Sequence, residues 1–115
     1  MQYKPTHGAM KVIYREPFLE RYTVVICTEL EQVGAIKYEH LLVVLDNDAR
    51  APVYYVTSEV NASAGQFGGG SHALCVFDGS GHGNMGFSDD WASLEAFVPA
   101  AFGLVQKRFG AAAPG

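Results

Sequence analysis

The stretch FDGSGHGNMGF, residues 77–87, sets Asp78, Ser80, His82 and Asn84 at every second position with glycines between them. Oxygen-bearing side chains at that spacing can hold a hard cation. Counted from Asp78, an EF-hand-type loop takes further ligands at positions 3, 5, 7, 9 and 12, with glycine at 6. Gly83 falls at the sixth place and Asp89 at the twelfth, so Asp78, Ser80, Asn84 and Asp89 make a weak calcium set. His82 offers nitrogen where calcium takes oxygen, Asp89 stands where a bidentate glutamate is needed, and an apolar strand precedes the loop in place of a helix. The better reading is a turn, with Asp78 and Asn84 bonding the local backbone.

Other chemistry needs convergence that the spacing does not impose. His7, His40, His72 and His82 are scattered. His72 and Cys75 are three apart on a strand and so point to opposite faces. No metal is expected. A thiol nucleophile needs a histidine and an orienting carboxylate, and Cys75 with His40 and Glu59 is conceivable only if their strands are neighbours. GQFGGGS (residues 65–71) has neither the Lys-Ser/Thr ending nor the following helix of a phosphate-binding loop. Aromatic walls with polar tips suit small ligands, so Tyr38, Tyr54 and Tyr55 can line a pocket. The ligand-pocket candidates are His40, Tyr54, Glu59, His72 and His82. No catalytic residue and no cofactor is assigned.

Positioning these groups falls to one domain. The chain has 115 residues with formal net charge −4, and 17% of them are charged against 49% hydrophobic. Nucleic acid binding draws on Lys and Arg against phosphate; with no basic cluster, neither nucleic acid nor an anionic membrane is an expected partner. No apolar run reaches the ~18 residues of a membrane span, and MQYKPTHGAMK has no signal-peptide core. With Cys27 and Cys75 both inside apolar strand-like runs, reduced buried thiols and a cytoplasmic location are expected.

The elements read as strands over 10–16, with Pro17 ending the first, over 21–30, 35–46, 53–60 and 72–78, and a short return strand over 83–87. DNDARAP (46–52) is dense in turn formers and predicts a hairpin. Residues 1–9 and 110–115 read as flexible ends, and 61–71 as a mobile glycine-rich connection. Ser88 can cap a C-terminal helix with Asp89 and Asp90 in its first turn, Lys107 and Arg108 in its last, and Gly110 beyond. Pro99 removes a helical hydrogen bond, so a kink or break is expected there. No helical pattern lies between the strands, which excludes parallel βαβ units. The expected fold is α+β: a mostly antiparallel sheet of five to six strands with the helix on one face.

From Phe97 to Val105 the helix is apolar nearly all round, and such a helix is buried. One sheet covers one side. The other side implies a second copy of the chain, with Phe97, Phe102 and Leu104 as interface candidates. The expected function is a non-catalytic homodimeric accessory or regulatory module. The alternative is a small-molecule-binding protein or minor enzyme with its pocket between helix and sheet.

Overall fold

The computed structural model describes residues 5, 7–61, 70–78 and 81–109. Six strands run β1 (Lys11–Phe18), β2 (Tyr22–Thr28), β3 (Tyr38–Asp46), β4 (Ala51–Val60), β5 (His72–Asp78) and β6 (Gly81–Ser88). They form one antiparallel sheet in sequence order, so each strand pairs with its chain neighbours and β1 and β6 are the edges. A 3-10 turn (Asp89–Ala92) and helix α1 (Leu94–Phe109) follow. The α+β expectation holds, with all six strands.

The sheet is apolar on both faces, which is why LLVVL in β3 is a continuous run and does not alternate. On the helix face, Val24, Ile26, Leu42, Val44, Tyr54, Val56 and Leu74 meet Phe97, Ala101 and Val105 of α1. On the opposite face lie Val25, Cys27, Leu41, Val43, Tyr55, Cys75 and Phe77. Among the described residues no helix covers this second face, here called the free face.

Local chemistry explains the ends of the elements. Pro17 does not end β1 as the sequence suggests; it lies inside the strand, paired with Thr23. An edge strand tolerates proline because its outward N–H has no ladder partner to lose. At the β3–β4 hairpin, Asp46 Oδ1 accepts from the backbone N–H groups of Asp48 (2.9 Å) and Ala49 (3.2 Å). Arg21, in the β1–β2 turn, grips the same carboxylate at 2.9–3.2 Å. Two hairpin turns are thereby fastened together at one end of the sheet.

Ser88 acts as the expected cap, its Oγ accepting from Asp90 N at 3.0 Å. It caps the 3-10 turn and not α1, because the chain resets at Ser93 to extended backbone (ψ 130) before the α-helix starts. Pro99 sits inside α1 on its exposed side, and the helix continues through it to Phe109. Of the expected flexible ends 1–9 and 110–115, residues 1–4, 6 and 110–115 lie outside the described residues, as do 62–69 of the glycine-rich connection, while Gly8 and Ala9 exchange backbone hydrogen bonds with Glu31.

Candidate functional site

Alternation along the strands sorts the polar candidates onto two faces. His40, His72 and Tyr54 are on the helix face; Glu59 and His82 are on the free face. The five therefore share no pocket. Tyr54 packs edge-on against Phe109 (centroids 5.6 Å) and forms part of the core under α1.

The helix-face histidines close a seam between the sheet and the 3-10 turn. His40 Nε2 lies 2.8 Å from the Ala92 carbonyl, which can only accept, so Nε2 carries the proton. Its Nδ1 lies 3.0 Å from the Thr28 hydroxyl, within hydrogen-bond distance. Ser58 Oγ donates to the Trp91 carbonyl. One strand over, His72 Nε2 approaches Glu39 Oε1 at 3.2 Å and His72 Nδ1 approaches Ser71 Oγ at 2.7 Å. Serine, histidine and glutamate in that order form a proton relay in outline. Ser71's own N–H, however, donates to Asp89 Oδ1 at 2.7 Å and is not available to an oxyanion. The seam is an anchor: His40 and Ser58 bind the Ala92 and Trp91 carbonyls of the 3-10 turn, while the Trp91 indole N–H is buried there without a hydrogen-bond partner.

The free face carries the second cluster. Thr57 pairs with Cys75 across β4–β5, and Glu59 is two residues beyond Thr57 on the same face. Glu59 and Cys75 are buried, at 9% and 2% exposure, and His82 is exposed on β6. One ligating atom from each of Glu59, Cys75 and His82 lies within 4.8 Å of the others. Thr57 Oγ1 donates to Glu59 Oε2 at 3.0 Å, and the His82 ring stacks on Phe77 with centroids 4.4 Å apart. Burial first, then the neighbouring Glu59 charge and hydrogen bond, push the Cys75 thiol up to about 12, while Thr57 pulls the other way. A thiol so protonated is a poor nucleophile. Of the conceivable Cys75–His40–Glu59 trio, the sheet unites Cys75 with Glu59 but sends His40 to the opposite face. Its place is taken by His82, a ligand-pocket candidate that the sequence did not connect with Cys75.

That segment is mostly strand. Asp78 ends β5, Asn84 is inside β6 and Asp89 follows it. Asp78 and Asp89 thus bracket the whole of β6, a span of ~25 Å at strand rise. Asp78 Oδ1 accepts from Gly81 N and Asn84 Oδ1 from Gly86 N. One calcium ion cannot be shared by Asp78, Asn84 and Asp89; Ser80 lies outside the described residues.

At the β1 side of the free face is an apolar groove of about 290 Å³, floored by Val25, Leu41 and Val43 and walled by Met10, Val12 and Tyr55, with Arg15 also lining it. It lies on the face opposite the one expected from the sequence. The helix face also has a smaller cleft, about 220 Å³, between α1 and β1, lined by Tyr14, Phe18, Val24 and Phe102 but by none of the predicted candidates.

The interface candidates on α1 are also redistributed. Phe97 is wholly buried beneath the helix, Phe102 packs edge-on against Tyr14 of β1 (6.2 Å), and Leu104 is half-buried. The outward positions Glu95, Pro99, Gly103 and Gln106 are small or polar. Exposed apolar side chains are concentrated elsewhere, above all at Met10, Val12, Ile13 and Tyr14, and at Met85 and Phe87 on the other edge.

No protein family, curated protein or solved structure matches the chain.

Proposed function

We propose that the protein is a non-catalytic accessory or regulatory module that works as a homodimer, joined through the β1 edge. The observation that carries this reading is the state of β1. Seven of its eight residues are exposed, apolar side chains included, beside a row of backbone groups with no strand beyond them among the described residues. Such an edge is a template for another strand, and a two-fold pairing of β1 with itself satisfies both copies at once. The residue types suit one register. An irregularity between Val12 and Tyr14 sets Lys11 and Glu16 on the same face of the sheet. Placing Lys11 opposite Glu16 of the second copy brings Ile13 against Tyr14, repeats the ion pair by symmetry, and leaves Pro17 just outside the paired span. The glycine-rich β6, with Gly86 at φ 138, is a poorer partner. Free buried thiols at Cys27 and Cys75 favour a reducing compartment, the cytoplasm.

Light scattering on the eluting protein tests the pairing. The expected mass is twice the 12.4 kDa of the chain. Ile13→Lys yields a monomer, Lys11→Glu weakens the dimer, and adding Glu16→Lys to Lys11→Glu restores it. A wild-type monomer at high micromolar concentration refutes the reading.

The free-face groove favours a second reading, a binder of a small amphipathic anion whose apolar part lies over Val25 and Val43 with its charge at Arg15. A ligand at ~100 times its dissociation constant raises stability by about 2.7 kcal/mol, so a thermal-shift series of medium-chain carboxylates is decisive: a uniform absence of shift removes it.

A further inference from the structure

The Glu59 carboxylate is buried in the free face, and among the described residues no lysine or arginine forms an ion pair with it. Its near neighbours are the Thr57 hydroxyl, which donates to it, and the Cys75 sulfur. A carboxylate taken out of water needs a counter-charge or a metal. Two further metal-binding atoms stand beside it.

We propose that Glu59, Cys75 and His82 bind one zinc-class divalent cation, with the fourth coordination position open on the free face of the sheet. Sulfur, imidazole nitrogen and a single carboxylate oxygen select zinc over calcium or magnesium, which take oxygen throughout. Three protein ligands with one vacant position is the arrangement of zinc sites that carry a water or exchangeable ligand. Bonds of ~2.0–2.3 Å put tetrahedral ligands about 3.5 Å apart, and the three atoms here are within 4.8 Å of one another. The remaining contraction falls to His82, the exposed member, by rotation of its side chain. Thr57 donates to Glu59 Oε2 and so helps to orient the carboxylate, while Phe77 lies flat against the His82 ring. On binding, the Cys75 S–H bond breaks, a zinc–sulfur bond forms, and the proton passes to solvent. One proton leaves per ion bound.

Cobalt(II) added to chelator-stripped full-length protein at pH 8 is the test. The expected result is a thiolate-to-cobalt charge-transfer band in the near ultraviolet that saturates at one equivalent and disappears when zinc is added. Cys75→Ser abolishes the band. His82→Ala, at an exposed edge position, leaves the circular dichroism unchanged and weakens cobalt binding by roughly tenfold or more. This second variant keeps the test decisive if Cys75→Ser fails to fold. No band in wild type, a band surviving Cys75→Ser (hence on Cys27), or an affinity unchanged by His82→Ala each overturns the assignment.

Discussion

Asp46 shows how much one residue can join. Its carboxylate takes Arg21 from one hairpin turn and two backbone donors from another. The hydrogen bond from Arg21, foremost, holds it below the usual carboxylate range. A carboxyl group depressed in the folded state stabilises the fold above its unfolded value, ~3.9, and loses that contribution as pH falls through the lower folded value. Urea midpoints measured from pH 6 to 2 are expected to fall more steeply for wild type than for Asp46→Asn, which is less stable at pH 6. Cys75 makes the opposite case. With its thiol held near 12 and its side chain buried, metal-free protein at pH 8 is expected not to react with a thiol reagent until unfolded; burial raises Cys27 as well. Rapid labelling of either cysteine in the native state contradicts this account of the free face.

The seam and the helix set what the elements require. Phe97 is at the centre of the helix–sheet contact, wholly buried and tilted against His40 at 5.6 Å. Phe97→Ala is expected to cost about 3–5 kcal/mol in urea unfolding, the transfer and cavity terms together. Ser58→Ala removes the donor to the Trp91 carbonyl and is expected to cost about 1–3 kcal/mol, the range for a buried acceptor left unpaired. Hydrogen exchange in the 3-10 turn should accelerate in that variant more than in β2 or β3. Gly70 has a comparable role: a Cβ there would overlap the Ser88 backbone, so the approach of the chain to the start of the 3-10 turn depends on glycine.

At the scale of the whole molecule, the sheet is an open meander with helix α1 on one face and the proposed sites on the other face and its edges. If β1 pairs with itself, stability becomes concentration-dependent: the Tm of wild type is expected to rise between 1 and 100 μM protein, and that of Ile13→Lys to stay constant. The groove and the proposed dimer edge share Val12 and Arg15 of β1, whereas the Glu59–Cys75–His82 cluster lies on β4 to β6 and can be tested separately from both.

Local chemistry made most of the fold legible. β-branched runs, the Asp/Asn-rich hairpin at 46–52 and the basic end of the last helix are short-range signals, and the structure contains each, while Asp89 and Asp90 open the 3-10 turn ahead of the helix. The sites were less legible, for a geometric reason. A strand sends neighbouring residues to opposite faces, and a shift of one residue in pairing changes which groups meet. The irregularity between Leu74 and Cys75 sets Cys75 opposite Asn84 and carries His82 onto the face of Glu59, which no spacing within β6 could announce. The polar trio Thr57-Ser58-Glu59 in an otherwise apolar strand was the available signal, and it points both ways, Ser58 to the seam and its neighbours to the cluster. Likewise the apolar C-terminal segment alone declares that α1 is buried. That the sheet buries Phe97, Ala101 and Val105, leaving exposed apolar side chains on β1, depends on the packing of six strands brought together from across the chain.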